Sequence, residues 1–186
     1  MIDFNKLQEE SKKRDENFYL IISGDKEFNA TNYYTVLMNG KATPLNGEEM
    51  LKIVLDKIIG DIVNHDFKPV YLTGDNSGVD SMAEDYVNRR GEDIIVFQAR
   101  WEQLGAKAGY DRNEEMFFYI GTRKHRKAVL FWDGRNPYTL NLIYQAYLFG
   151  TSVIVFDYTM KKWLSKSEIE AIQLDEHKKQ QSYKKS

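Results

Sequence analysis

The sequence predicts a doubly wound, Rossmann-like α/β fold: a parallel sheet of about five strands, helices on both faces, and a small hairpin-like insert. Three observations carry this. Short runs such as "NFYLIISG" (17–24), "KPVYLTG" (68–74) and "KAVLFWDG" (127–134) are apolar throughout instead of alternating. Strands of that kind are buried on both faces, as in a parallel sheet. Between them lie segments with apolar residues at helical spacing, and most strands end at glycine, where a βα turn is expected.

The elements follow in order. Residues 1–16, "MIDFNKLQEESKKRDE", are charged and read as an arm or short helix with no apolar signal core. The first strand is 17–24. The insert, 25–47, carries β-type residues around Asn39-Gly40, a hairpin signal. A helix is predicted over 47–65, with two glutamates in its first turn and Met50, Ile53, Val54, Ile58, Ile59 and Ile62 on its apolar face. The second strand, 68–74, leads to a helix over 79–91, closed by Gly91. "DIIVFQAR" (93–100) reads as a third strand and 112–125 as a helix. The fourth strand is 127–134, the next helix 139–150 and the fifth strand 151–157. The segment 165–186 begins as a helix and is expected to fray into a lysine-rich tail. One Rossmann-like domain over 17–165, with a C-terminal helix and tail over 166–186, accounts for the chain.

Composition narrows the function. The chain has 186 residues, 42 % hydrophobic and 29 % charged, with a formal net charge of −2. This balance argues against a wide nucleic-acid footprint. There is no cysteine, which excludes disulfides, thiolate zinc sites and cysteine nucleophiles and suits the cytoplasm. No apolar run is long enough to span a bilayer. The histidines, His65, His125 and His177, have no metal-ligand spacing, so no metal and no cofactor are expected. The basic run "TRKHRK" (122–127) ends a helix, where cations are favourable.

In open α/β sheets ligands bind beyond the carboxyl ends of the strands. Those ends carry Gly24 and Lys26; Gly74, Asp75, Asn76, Ser77, Gly78 and Asp80; Trp101 through Asn113; and Asp133, Gly134, Tyr138 and Thr139. A strand, a glycine turn over 74–78 and a helix starting near Val79 make an anion site from free N–H groups and the helix dipole. The same residue types also serve ordinary turns and caps. No Gly-Lys-Ser/Thr follows, so the turn is not a P-loop. In "WEQLGAKAGYDRNEEM" (101–116), Asp111 and Glu114 fit a capping box. Arg112 does not: a cation in a first helical turn opposes the dipole, and its planar fork suits phosphate or carboxylate. Trp101 offers a flat face for a ring.

Trp101, Gly105, Lys107, Ala108, Gly109, Arg112, Asn113 and Met116 together resemble the W-x-x-x-G-K-A-A-G-x-x-R-N-x-x-M signature of the YspA-like branch of the SLOG superfamily, whose relatives include the Smf/DprA and LOG groups. Here Ala106 intervenes before Lys107. "SGDK" (23–26) stands where that family has T-G-S-R. "TGDNSGVDSMAEDY" (73–86) resembles S-G-G-A-x-G-A-D-x-x-A-x-x-Y, and "FWDGRNPYT" (131–139) resembles W-D-G-x-S-x-G-T, with Asn136 and Tyr138 in place of its serine and second glycine. The resemblance implies a Rossmann-like sheet that binds nucleotides or nucleotide-derived ligands over its strand ends, either as a sensor or, as in the LOG group, as a phosphoribohydrolase. The LOG glutamate aligns with Leu142. N-glycosidic cleavage by that route needs a carboxylate near the ribose.

The expected function is therefore binding of a nucleotide-derived small molecule. Phosphate would sit on the 74–78 turn with Arg112 and Lys26 as counter-charges. Asn113, Asp133 and Thr139 would read ribose or base, and Trp101 or Tyr138 would flank a ring. The alternative is an N-glycosidase or deoxyribosyltransferase-like enzyme whose carboxylate comes from Asp25, Asp75, Asp80 or Asp133. Single-stranded nucleic-acid binding is a third, weaker reading. The resemblance implies a homo-oligomer, since members of that family commonly associate, and "TLNLIYQAYLFG" (139–150) is apolar all round; a central buried helix would read the same way.

Overall fold

The computed structural model describes residues 16–38 and 40–183. The N-terminal arm, Asn39 of the hairpin turn and the last three residues of the tail lie outside them.

The strands are β1 (Asn17–Gly24), β2 (Tyr33–Met38), β3 (Lys41–Asn46), β4 (Lys68–Thr73), β5 (Ile94–Val96), β6 (Arg126–Trp132), β7 (Ser152–Asp157) and β8 (Lys162–Trp163). The helices are α1 (Gly47–Asn64), α2 (Val79–Arg89), α3 (Trp101–Leu104), α4 (Ala108–Ile120), α5 (Pro137–Leu148) and α6 (Lys166–Tyr183), with a 3-10 turn over Gly105–Lys107. The main sheet runs β5-β4-β1-β6-β7-β8. Its first five strands are parallel, and only β8 pairs antiparallel, on β7. The expected α/β class and parallel sheet are thus present. From β1 the chain crosses outward through β4 to β5, then returns to lay β6 on the other side of β1. The strand order reverses there, so a crevice opens between the exits of β1 and β6.

Alternate residues of β1 feed two cores, as a central strand with period-2 side chains must. Leu20 and Ile22 pack with Met50, Leu51, Leu55 and Ile59 of α1 and Val79, Ala83 and Val87 of α2. Tyr19 and Ile21 pack with Met116 and Phe117 of α4, Leu142 and Ile143 of α5 and Ile169 of α6. Helices therefore cover both faces. The insert pairs antiparallel from Tyr33↔Asn46 to Met38↔Lys41. It hands directly to α1 through a complete capping box between Asn46 and Glu49.

Several boundaries differ from expectation. The third strand stops at Val96; Phe97 still donates its amide to Thr73 of β4 at 2.9 Å, and the chain beyond it turns into α3. The apolar face of α1 is rotated: Leu51 and Leu55 are buried, while Ile53 is 40 % exposed. Ile53, Val54 and Ile58 instead line a groove with Leu45, Ile154 and Trp163. The fourth helix begins at Ala108, running on from the 3-10 turn, so Asp111 is not its cap but pairs with Lys107 at 3.2 Å. Asn136 caps α5 and Pro137 opens it, an N1 proline that starts the helix earlier than expected. The last helix holds through Tyr183 where fraying was expected. Gln173 tethers it by donating to the Ile143 carbonyl at 3.1 Å. Finally, α5 packs against α4 and α6 and buries Leu142, Ile143 and Ala146, while Tyr147 and Leu148 at its end stay exposed. Among the described residues, no helix is long and apolar enough to cross a membrane.

Candidate functional site

A cavity of about 410 Å³ lies at the crevice where the strand order reverses. Seven of the residues expected at the site line it: Gly24, Lys26, Asn76, Trp101, Arg112, Tyr138 and Thr139. Asn136 and Leu142 complete the wall. The other expected residues stand behind it, and their contacts explain why they are there.

One wall is built from the β4 exit and α4. Arg112 is 2 % exposed, although it was singled out as a free first-turn cation. It sits in the second turn of α4 and already has counter-charges. It donates to Asp75 at 2.9 Å and lies 3.7 Å from Asp80, which is itself buried. Its Nη2 also donates to Asn113 at 3.1 Å, while its Nε is buried with no partner. Asp80 accepts from Ser23 at 2.6 Å and from the Asn76 amide at 3.1 Å. Burial pushes its carboxyl pKa upward, against the pull of Arg112 and these donors. Gly74 is required by this pair, since a Cβ there would overlap the Asp80 carboxylate and lie 2.8 Å from the Arg112 guanidinium. Asp75 also accepts from the Ala99 amide at 3.0 Å, fixing the chain after β5. Ser77 is exposed on the turn. Gly78 caps α2 at φ 79° with no side-chain cap on the helix.

The opposite wall is the β6 exit and the start of α5. Asp133 accepts from the amides of Arg135 and Asn136 at 2.7 and 2.6 Å, and Gly134 turns at φ 78°. Asn136 then accepts from the amides of Tyr138 and Thr139, so the N-terminus of α5 is closed by its own cap. Asn113 reaches across to donate to the Tyr138 carbonyl at 2.9 Å and to Asn141 at 3.1 Å. It therefore braces α4 against α5 and stands behind the cavity lining. Tyr138 donates to the Ala106 carbonyl at 3.1 Å. Its ring meets Trp101 edge-on at 5.8 Å and Tyr110 at 4.9 Å, seated on Gly109. The two aromatics make a fixed corner at the mouth, where Trp101 is 41 % exposed. Lys26 projects outward, its side chain 65 % exposed.

Sequence reasoning weighed Asp25 only as one of four carboxylates for an enzyme. It is 1 % exposed and joins three elements. Its Oδ2 accepts from the Asp133 amide at 2.7 Å and from Tyr158 at 3.1 Å. Its Oδ1 accepts from Thr139. Burial, helped by the neighbouring Asp133 charge, raises its pKa to about 7 against the pull of those donors. The sequence signal was available: an aspartate directly after the exit glycine of the strand on which the sheet order reverses. Among the described residues, no group of acidic, histidine or cysteine side chains could hold a metal ion.

No family model matches the chain, and neither a curated protein nor a solved structure matches it.

Proposed function

We propose that the chain binds a nucleotide or nucleotide-derived ligand in this cavity and serves as a sensor or binding protein. This is the role implied by its resemblance to the YspA-like branch of the SLOG superfamily. The observation that carries the reading is the cavity itself. It lies at the β1/β6 reversal, has ligand-pocket size, and joins unlike walls: the Trp101–Tyr138 corner, the Arg112 guanidinium and the exposed Lys26 cation. A base or ring fits the aromatic corner, and a phosphate fits the side of Gly24, Lys26, Asn76 and Arg112. The α5 terminus is less suited to phosphate, because Asn136 already occupies its amides.

Binding is favoured over catalysis because the wall position aligned with the LOG glutamate is Leu142, 1 % exposed and without a proton to give or take. The enzyme reading keeps one argument, the raised pKa of Asp25, which would suit a general acid. All three of its hydrogen bonds, however, go to protein groups.

Titration calorimetry with nucleoside mono- and diphosphates, ADP-ribose and cyclic nucleotides tests the reading. At least one should bind tighter than millimolar, and Tyr138→Ala should weaken it. A panel with no such binder sinks the proposal. Free base released on long incubation with nucleoside monophosphates, and lost in Asp25→Asn, would move the chain to the enzyme class.

A further inference from the structure

Asp25 is the one group that touches three of the segments around the cavity, yet it does not itself line it. Thr139 is its bridge to the wall. We infer that Asp25 is a positioning residue that sets the polarity of Thr139 toward the ligand, so that an anion is taken up together with a proton. The inference rests on the binding reading above.

The argument is one of hydrogen-bond direction. With Asp25 ionised, the carboxylate can only accept, and the Thr139 hydroxyl spends its single proton on Oδ1. Only oxygen lone pairs then remain to face a ligand. With Asp25 protonated, the new O–H needs an acceptor. The Asp133 amide at Oδ2 cannot supply one, because an N–H only donates. The Tyr158 hydroxyl could accept at Oδ2, but it is 3.1 Å away and a phenol oxygen is the weaker acceptor, on an oxygen the Asp133 amide already holds at 2.7 Å; Thr139 makes the closer contact at Oδ1, so that bond reverses and Asp25 donates to Thr139. The threonine proton is released, and Asp25 was its acceptor. The hydroxyl becomes a donor on a wall that also carries Arg112 and Lys26. An anionic oxygen favours that arrangement twice over, since it gains a donor and loses a nearby negative charge.

The charged and titratable groups around Asp25 fit this assignment. Asp133 faces it from the β6 exit and raises its proton affinity, and the Tyr158 hydroxyl faces it from the β7 exit. Thr139 comes from α5. Lys26, next in sequence, is turned to solvent beside Glu27. Asp80 and Arg112 belong to a separate network through Ser23 and Asp75. Burial brings the carboxyl to titrate near neutrality, where a proton can be gained or lost on binding.

The test uses the full chain and sulfate, an anion that does not titrate near neutrality, followed through the amide resonances of Gly24, Asn76 and Asp133. In the parent protein the Asp133 amide should titrate near neutral pH without ligand. Sulfate affinity should fall by up to about tenfold per pH unit above neutrality, the slope of one coupled proton. Asp25→Asn, whose amide mimics the protonated acid, should lose both effects and hold the low-pH affinity throughout. Thr139→Ser should keep the coupling, and Thr139→Val, which removes the donor and leaves the Asp25 charge, should flatten the pH dependence of binding while Asp25 still titrates. Sulfate binding that is flat with pH, or that keeps its slope in Asp25→Asn, overturns the inference while leaving the binding reading intact. If sulfate does not bind, the binding reading loses its anion site. The ligand-free arm then decides: an Asp133 amide that does not titrate, or titrates equally in Asp25→Asn, overturns the inference.

Discussion

Asp25 and Asp80 are both 1 % exposed and both stand where strands leave the sheet beside the same cavity. Their environments differ in the charges beside them, Asp25 having the Asp133 carboxylate and Asp80 the Arg112 guanidinium. Asp80 has a guanidinium within 3.7 Å, whereas every donor on Asp25 is neutral: an amide and two hydroxyls. Burial penalises the charged form of each, but only Asp80 has an opposite charge to offset it. Asp80 is part of an ion pair with Arg112, and Asp25 has no such partner. Burial raises both carboxyls, and an opposite charge opposes it in Asp80 alone.

The largest way to break that contrast is to remove the guanidinium. Arg112→Leu leaves Asp80 buried with hydrogen bonds but no counter-charge, and loss of one member of a buried pair costs about 3–5 kcal/mol. Denaturant unfolding should show a loss of that size near neutral pH. Acid should relieve part of it, because the orphaned carboxyl can then take up a proton. Adding Asp80→Asn should restore part of the stability at neutral pH. A double variant as unstable as Arg112→Leu would mean that the arginine acts through packing and not through charge.

The second prediction concerns Asp25 and has the opposite sign from the usual acid-denaturation behaviour. A carboxyl whose folded pKa is about 7 keeps its proton in the folded state while the unfolded chain ionises near 4. The unfolded state thus binds fewer protons between those values, and the contribution of Asp25 to stability falls as pH rises through that window. The loss is of order 4 kcal/mol and is complete above neutrality. Asp25→Asn has no proton to lose. Its unfolding free energy should fall less than the parent's between about pH 5 and about pH 8, and the difference between the two proteins is the quantity to measure. Equal pH profiles would mean that the folded carboxyl titrates near its ordinary value.

How much of this could be read from the sequence follows from the range of the forces involved. The sheet was legible because apolar strands and glycine exits are local signals, and so was the location of the cavity, which strand exits dictate. Cap positions were less legible. Asp111 and Glu114 have the spacing of a capping box, but the helix starts earlier because Trp101 to Lys107 already turns, with Trp101 packing on the Tyr138 ring from α5. Partners across the sheet were not legible at all. Arg112 meets Asp75 across 37 residues, and Asp25 meets Thr139 across 114 and Tyr158 across 133. No spacing rule reaches that far, so the arginine was assigned to a ligand and the aspartate was kept only as a candidate catalytic acid. The short β8 strand escaped for a related reason, since Lys162-Trp163 has no period and forms only by pairing on the end of β7.

The smallest effect tests whether the two carboxylates are independent. Gly78 joins their surroundings: it begins the helix that carries Asp80, and a Cβ on it would lie about 2.6 Å from the Asp25 carbonyl. Its φ of 79° is open to glycine and strained for other residues. Gly78→Ala must therefore accept left-handed strain and push the Asp25–Lys26 peptide away from α2, at a cost of about 1–3 kcal/mol. If the networks are separate, the displacement should reach Asp25 through its own peptide and leave the Arg112–Asp80 pair in place. The Asp133 amide resonance would then shift while the Asn76 amide, held by the Asp80 carboxylate, stays where it was. Equal movement of both would show that α2 transmits strain between the two carboxylates, and the cavity floor would then respond to a ligand as one unit.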